Sequence, residues 1–289
     1  MRSSLDCVSC FVRQALDAAR AVSDDPAVHE DVVRHTLRWI ATSDLTWSPP
    51  VFAQQIHRRL RTLTSSDDPH KSAKERQNGM VLRLLPRLRR QVEMAPDPLD
   101  LAVRLALAGN AIDMGVTTSL QETDLQAAIA QALSEPLYGD LDDFQNALDA
   151  ATDILYLADN AGEIVLDRLL VERLMERIAP GEVVVAVRGA PVLNDATWMD
   201  AHTAGLDEMV EVIDNGSDAP GTILSDCSED FRDRFARAHL VLAKGQGNFE
   251  SLSDEEGNIF FLFKVKCEVI ADQVGAPVGS HVVTRAVKA

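Results

Sequence analysis

The sequence is poor in the features that mark secreted, membrane-spanning or nucleic-acid-binding proteins. It has four cysteines in 289 residues, too few for a disulfide scaffold. Aromatic residues make up only 5% of the chain, which argues against stacking surfaces for single-stranded nucleic acid. No stretch approaches the roughly 18 apolar residues of a membrane span, and the N-terminal segment MRSSLDCVSC lacks the apolar core of a signal peptide. We therefore expect a cytoplasmic protein.

Basic residues are also in the minority, with 28 lysines and arginines against 45 acidic residues and a formal net charge of −17. Such a field repels phosphate backbones and anionic lipids, so we expect neither nucleic acid nor a membrane as partner. An acidic protein that binds an anionic molecule needs a local device, such as a metal ion, a lysine or backbone amides. The sequence leaves the oligomeric state open.

The pattern of apolar residues changes near residue 150. Before that point they recur at helical spacing, as at Val12, Leu16 and Ala19, which predicts six or seven helices. After it, short apolar runs alternate with helical segments, as in a parallel sheet covered by helices. The runs are residues 154–158, 183–187, 209–213, 240–243 and 259–265. We predict an α/β protein, with an α-helical domain over residues 1–150 and a Rossmann-like, doubly wound, mainly parallel domain over residues 151–289.

Polar residues lie in the loops that follow the first two predicted strands. Asp159 and Asn160 come after the first strand, and Asn194 and Asp195 stand where a helix should begin after the second. Taken alone, each position is more simply explained as a helix N-cap. Because ligands bind at the carboxyl ends of parallel strands, the two loops together would bring three oxygen donors to one place. That ligand set suits a hard divalent ion such as Mg²⁺ or Mn²⁺.

The other loops offer positive charge and an adaptable backbone. Lys244 is followed by two glycines within three positions, beginning with Gly245, which resembles a phosphate cradle without the spacing of a P-loop. Gly162 is the only glycine in the first loop, so the dinucleotide-binding fingerprint is missing there. The segment that contains Ser217 and Asp218 is more simply explained as a surface turn.

Several of these segments together resemble one known family. They are LADNAGE at residues 157–163, VRGAPVLNDAT at 187–197, NGSDAPGT at 215–222, AKGQGNFESL at 243–252 and KVKC at 264–267. The family is that of the damage-control phosphatases, also called acidic-residue-methyltransferase-like proteins. The CVSC motif at residues 7–10 and the GNAID segment at 109–113 resemble its prokaryotic branch. The similar segments occur in order along nearly the whole chain.

The resemblance implies a phosphatase that uses a divalent metal to hydrolyse small phosphorylated metabolites, such as sugar phosphates or damaged phosphometabolites. It implies metal ligands at Asp159, Asn160 and Asp195, holding Mn²⁺ or Mg²⁺, with Co²⁺ or Ni²⁺ also suited to oxygen donors. Asp159, Asp195 and Lys244 are then the candidate catalytic residues, with Lys244 contacting the substrate phosphate. The candidate substrate-binding residues are Asn110, Asp113, Gly162, Glu163, Ser217, Asp218, Gly245 and Asn248. Gln246 stands where eukaryotic members carry an acidic residue, so their substrate preference is not carried over.

Two other functions stay open from the sequence. A carboxyl methyltransferase that uses S-adenosylmethionine would be expected to have a glycine-rich first loop and no need of a metal. A non-catalytic metabolite-binding protein would bind its ligand without turnover, and its metal would serve structure. A direct assay separates these functions from a phosphatase.

The cysteines and histidines add two further expectations. Cys7 and Cys10 have the spacing of a zinc or redox pair, which Cys267 and Cys227 could complete in space. Reduced thiols that pack structurally are the simpler alternative, and we expect no catalytic thiol. The histidines show no HExxH or HxxxH pairing, and those at positions 70 and 202 are expected at the surface.

Overall fold

A computed structural model describes residues 1–64, 66–109 and 122–285. Within these ranges, seven helices precede residue 151. They are α1 (Leu5–Val22), α2 (Pro26–Ile40), α3 (Pro49–Thr64), α4 (Lys71–Glu93), α5 (Pro98–Ala108), α6 (Glu122–Ser134) and α7 (Leu141–Ala150). The prediction of six or seven helices in this part of the chain is confirmed. Of the described helices, none is long and apolar enough to cross a membrane.

Several of these helices begin where the sequence provides a capping residue. The Asp25 carboxylate accepts a hydrogen bond of 2.8 Å from the amide of Ala27 at the start of α2. Asp97 and Asp140 each accept from the amide three residues later, at the starts of α5 and α7. Proline also occupies the first position of α2 and of α5, where its missing amide hydrogen costs nothing.

The other main element of the fold is a sheet of seven strands, all of them in the described ranges. They are β1 (Leu137–Gly139), β2 (Ile154–Leu157), β3 (Val183–Val187), β4 (Glu211–Asp214), β5 (Leu240–Lys244), β6 (Ile259–Lys264) and β7 (His281–Arg285). Their order in space is β1-β7-β6-β5-β2-β3-β4. Strands β2 to β6 are parallel, and β7 runs antiparallel to β6. Since β2 lies between β3 and β5, the strand order reverses at β2, and ligands bind at such a point.

Helices cover both faces of this sheet. The remaining helices are α8 (Glu163–Met175), α9 (Trp198–Thr203), α10 (Glu229–Arg237), α11 (Gln246–Leu252) and α12 (Glu268–Val274). Helices α5 and α8 belong to the core on one face, which includes Tyr156 and Leu242. Helices α10, α11 and α12 belong to the core on the other face, which includes Leu155 and Phe261. The predicted doubly wound, mainly parallel α/β fold is therefore confirmed.

The edges of the sheet differ from the prediction. The apolar pattern does not predict β1 or β7, because β1 is only three residues long and lies among helices. At the opposite edge, the prediction of a strand buried on both faces is wrong for β4, where Glu211 and Asp214 are exposed. An edge strand has a neighbouring strand on one side only, so its ends stay in contact with water.

Candidate active site

The loops after β2 and β3 lie side by side because their backbones are hydrogen-bonded to each other. The Ala196 amide donates to the Asp159 carbonyl at 2.7 Å, and Asn160 forms an isolated antiparallel bridge with Asp195. Asp159, Asn160 and Asp195 are 7%, 5% and 3% exposed. The three predicted metal ligands are thus brought together, largely buried, at the carboxyl ends of two central strands.

Arg188, the first residue after β3, lies between the two carboxylates of this group. Its Nε donates to Asp195 Oδ2 at 2.7 Å, and its Nη2 is 3.5 Å from Asp159 Oδ1. Its Nη1 donates to Asn248 Oδ1 at 3.3 Å and to Thr222 Oγ1 at 3.4 Å. Among the described residues, Nη2 has no hydrogen-bond partner, although the side chain is almost fully buried. Arg188 is not among the residues predicted for the site, because no local signal distinguishes it from an exposed arginine that follows a strand.

Asn160 presents its amide nitrogen to neighbouring carboxylates. Its Nδ2 donates to Asp159 Oδ2 at 2.9 Å and to Glu163 Oε2 at 3.4 Å. Because the nitrogen is used in this way, Oδ1 is the Asn160 atom that can bind a cation. The Asp159 carboxylate also rests against Gly245, where a Cβ atom would come within 1.9 Å of Oδ2. Only glycine leaves enough room for the carboxylate, and the positive φ of 81° suits glycine as well.

Lys244, the last residue of β5, is fully buried. Its Nζ donates to the Ala106 carbonyl at 2.9 Å, to Asp167 Oδ1 at 2.8 Å and to the Glu163 carboxylate. An ammonium group has three N–H donors, so these three acceptors use all of them. Lys244 reaches a substrate phosphate only if one of the acceptors gives way, and its phosphate contact stays a prediction.

Burial changes the titration of these side chains. It raises the pKa of Glu163 to about 8, with Lys244 opposing the rise and Asp167 and Asp159 adding to it. Burial likewise raises the pKa of Asp167. Burial alone would lower the pKa of Lys244, but Asp167 and Glu163 together raise it above its ordinary value. The lysine therefore stays charged at neutral pH, and two carboxyl groups share it.

The buried side chains at this edge of the sheet carry more negative than positive charge. The four acidic members are Asp159, Glu163, Asp167 and Asp195, and the two cations are Arg188 and Lys244. Four ionised carboxyl groups would exceed the two cations by two charges, and the pKa of Glu163, raised to about 8, relieves part of that excess by protonation when no further cation is present. A divalent cation held by the three oxygen donors would supply the missing charge. The residues present therefore fit such an ion.

A family model described as the damage-control phosphatase ARMT1-like domain matches residues 3–282 of the chain. The chain belongs to this family. Membership places the protein among the phosphatases, which are hydrolases.

Relatives of similar length support this assignment. A damage-control phosphatase of Archaeoglobus fulgidus is 32% identical and one of Pyrococcus horikoshii 31%, and each match covers at least 98% of both chains. An uncharacterized protein of Methanocaldococcus jannaschii is 34% identical, with 97% of this chain and 94% of that protein covered. The crystal structure of a DUF89 family protein from Pyrococcus horikoshii superposes with a TM-score of 0.89 at 29% identity, covering 99% of this chain and 100% of that one.

Two other residues predicted to bind substrate hold the site of this damage-control phosphatase family member together. The Gly162 amide donates to Asn78 Oδ1 at 2.6 Å, so a helix of the N-terminal region caps the loop after β2. Asn248 Nδ2 donates to the Lys244 carbonyl at 2.8 Å, and its Oδ1 accepts from Thr222 Oγ1 at 2.8 Å. Both residues lie at the site, and their contacts with substrate stay predictions.

The loop after β4, which contains Ser217 and Asp218, is bound by α3. The Asp218 carboxylate accepts from Arg58 Nη2 at 2.6 Å and from Arg61 Nη2. Ser217 is buried, and its Oγ donates to Asp226 Oδ2 at 2.6 Å. These contacts tie the helical region to the sheet, and the substrate role of the two residues stays a prediction.

The remaining predictions concern Asn110, Asp113 and two histidines. Asn110 and Asp113 lie outside the described residues. His202 is exposed, as expected. The expectation of a surface position is wrong for His70, which is only 4% exposed because α3 and the loop after β3 cover it.

The cysteines are all free thiols. Cys227 is buried in the core, and burial raises the pKa of its thiol to about 12. Cys7, Cys10 and Cys267 are partly buried. In the described part of the chain, no three or more histidine, cysteine or acidic side chains are grouped so that they could hold a metal. The predicted metal ligands form a different kind of set, since one of them is the amide of Asn160.

Proposed function

We propose that the protein hydrolyses small phosphomonoesters with the help of one divalent metal ion. The observation that carries this proposal is the meeting of Asp159, Asn160 and Asp195 at an edge of the sheet where four buried carboxyl groups face two buried cations. Carboxylate and amide oxygens are ligands that Mg²⁺ and Mn²⁺ prefer, and Co²⁺ or Ni²⁺ would also be held.

Each residue of the site has a distinct part in this reaction. The metal ion, when bound, supplies positive charge that stabilises the phosphate oxygens as the P–O bond breaks. Arg188 Nη2 has an ion-pair contact with Asp159 but no hydrogen bond among the described residues, so it is a donor in place for a phosphate oxygen before the substrate arrives. Lys244 holds the Glu163 carboxylate, and Glu163 accepts from Asn160, so the lysine helps to orient a metal ligand.

The enclosure of the site favours small substrates. Asp159, Asn160, Asp195 and Arg188 are each less than 9% exposed, so a small molecule would reach them more easily than a phosphate group on a protein or nucleic acid. The net charge of −17 also repels polyanions. We therefore assign the substrate to the small phosphorylated metabolites, such as sugar phosphates, and place the protein in the cytoplasm, where such compounds occur.

The test is phosphate release by the purified chain. An aryl phosphate and a panel of sugar phosphates would be incubated with the protein after EDTA treatment, and again after addition of Mg²⁺ or Mn²⁺. We expect no release in EDTA and recovery when the metal returns, because the three oxygen donors hold the substrate phosphate only through the ion.

The same preparation distinguishes the other functions. Binding of S-adenosylmethionine by a protein that is insensitive to EDTA would replace the phosphatase with a methyltransferase. Binding of a phosphorylated metabolite without any release of phosphate, with each metal tested, would leave a binding protein.

A further inference from the structure

A pocket lies beside the loop after β3, on the side that faces the helical region. Helix α3 contributes His57 and Arg61, the segment before α4 contributes Asp68 and His70, and residues 191–193 form the remaining wall. We call it the histidine pocket. It has room for about one water-sized group.

Two buried imidazoles face each other in this pocket. His70 is 4% exposed and His57 is 5% exposed, and their ring centroids are 6.0 Å apart in an edge-on arrangement. Among the described residues, Nε2 of His70 has no hydrogen-bond partner. A buried polar atom without a partner is unfavourable unless a water or a ligand pairs with it. The described residues therefore leave Nε2 of His70 without a hydrogen bond.

Burial also decides the charge of the two rings. It lowers the pKa of His57 to about 3, and it lowers the pKa of His70 below its ordinary value. Both imidazoles are therefore neutral at physiological pH. A neutral imidazole carries one N–H donor and one acceptor nitrogen, and a hydroxyl group can pair with either of them.

The charged side chains around the pocket already have partners. Arg61 pairs with Asp218 and donates through Nη1 to the Pro191 carbonyl at 2.8 Å. Asp68 pairs with Lys74 at 3.1 Å. Because these charges are matched, the described lining favours a neutral group over a phosphate or a carboxylate. The alcohol part of a phosphomonoester can supply such a group.

The pocket and one predicted metal ligand are also parts of the same loop. Asp195 follows Leu193, which lines the pocket, by two residues, so their Cα atoms are at most about 8 Å apart. Leu193 is the one non-glycine residue in the described ranges with a positive φ, at 47°, and such strained backbone tends to occur at functional sites.

We propose that the histidine pocket binds one hydroxyl group on the alcohol part of the substrate, with His70 as a specificity-determining residue. This inference rests on the proposed phosphatase function. A sugar or polyol phosphate carries several hydroxyl groups within a few bonds of its phosphorus atom. An analogue that lacks the bound hydroxyl would leave Nε2 of His70 unpaired.

The experiment measures discrimination between matched substrates. Hexose 6-phosphate and a series of analogues, each lacking one hydroxyl, would be compared by kcat/KM with the wild-type protein and His70→Leu. We expect one analogue to be about 10-fold poorer with the wild-type protein, the effect of one lost hydrogen bond to a buried atom. With His70→Leu, the parent compound and that analogue should be hydrolysed equally well. The control is His202→Leu, an exposed histidine outside the pocket, which should keep the 10-fold preference.

A second measurement does not depend on a variant that folds. Non-hydrolysable hexose 6-phosphonates, with and without the same hydroxyl, would be added to wild-type protein labelled with ¹⁵N at histidine. We expect the Nε2 resonance of His70 to shift with the hydroxylated compound only.

The outcomes separate this inference from the proposed function. Equal discrimination by the wild-type protein and His70→Leu, or an unchanged Nε2 resonance, would overturn the histidine pocket as a hydroxyl site. Failure of the wild-type protein to hydrolyse any phosphomonoester with any metal would instead overturn the proposed function.

Discussion

Two buried clusters at the carboxyl edge of the sheet have the same charge composition and differ in how their donors are used. In each, one cation lies between two acidic side chains: Lys244 between Glu163 and Asp167, and Arg188 between Asp159 and Asp195. All three donors of Lys244 are taken by protein acceptors. In the described ranges, Nη2 of Arg188 has an ion-pair contact with Asp159 but no hydrogen bond. The two clusters therefore differ in the use of their N–H donors and not in charge. We infer that this difference would let the cluster around Arg188 bind a substrate.

The difference arises from the elements that build each cluster. Glu163 and Asp167 are four residues apart on α8, and they contact Lys244 of β5, whose third acceptor belongs to α5. Asp159 and Asp195 come from two loops at the ends of strands, where the backbone turns away from the sheet. A cluster between packed elements is closed, whereas one between loops can accept an ion or a substrate.

The largest effect is expected from Lys244→Met. The substitution leaves Glu163 and Asp167 buried without their cation, and removal of one partner from a buried ion pair typically costs about 3–5 kcal/mol. Urea unfolding would measure the change in free energy of unfolding. The control is Lys264→Met at the end of the neighbouring β6, a side chain that is only partly buried. Equal losses in the two variants would show that the cluster around Lys244 contributes nothing special.

A smaller loss of stability, about 1.5–3 kcal/mol for a lost hydrogen bond to a charged group, is expected from Arg188→Gln in EDTA. This variant also leaves the carboxylates of Asp159 and Asp195 without their cation, but we propose that a metal ion binds the same carboxylates. Addition of Mn²⁺ should therefore restore much of the thermal stability of Arg188→Gln. It should not restore that of Lys244→Met. Rescue of both variants, or of neither, would remove the distinction between the open and the closed cluster.

The pH dependence of stability tests the role of Glu163 in the cluster around Lys244. The pKa of Glu163 is raised from its ordinary value to about 8 in the folded protein, chiefly by burial. The folded state therefore binds a proton that the unfolded state releases, and stability falls as pH rises from about 4.5 through 8. The slope for one proton is at most about 1.4 kcal/mol per pH unit. Glu163→Gln should flatten this decline, as measured by urea unfolding in EDTA at pH 5, 6, 7 and 8. An unchanged slope would contradict it.

Sequence patterns were sufficient for the parts of the site that depend on local order along the chain. Asp159, Asn160 and Asp195 could be predicted because each follows a buried strand, and parallel strands end at the same edge of a sheet. The position of Lys244 at the end of a strand can be predicted in the same way, from the apolar run before it. Its three acceptors could not be predicted, because Ala106 and Asp167 reach it from helices that the sequence does not position relative to the sheet.

Arg188 and His70 show where the sequence was insufficient. An arginine after a strand and a histidine in a polar loop are usually exposed, and nothing local indicates otherwise here. Arg188 is buried because two loops bring carboxylates to it from separate strands. His70 is buried because α3 and the loop after β3 cover it. Both results depend on tertiary packing between distant parts of the chain.

The proposed metal ligands are tested most directly by a calorimetric titration of the metal-free protein with Mn²⁺. We expect the wild-type chain to bind one ion, and Asp195→Ala to bind it at least about 10-fold more weakly, because one of three protein ligands is lost. The control is Asp214→Ala, which removes an exposed carboxylate at the end of the neighbouring β4 and should leave the affinity unchanged. Wild-type affinity in the Asp195→Ala protein would contradict the assignment of the metal to the loops after β2 and β3.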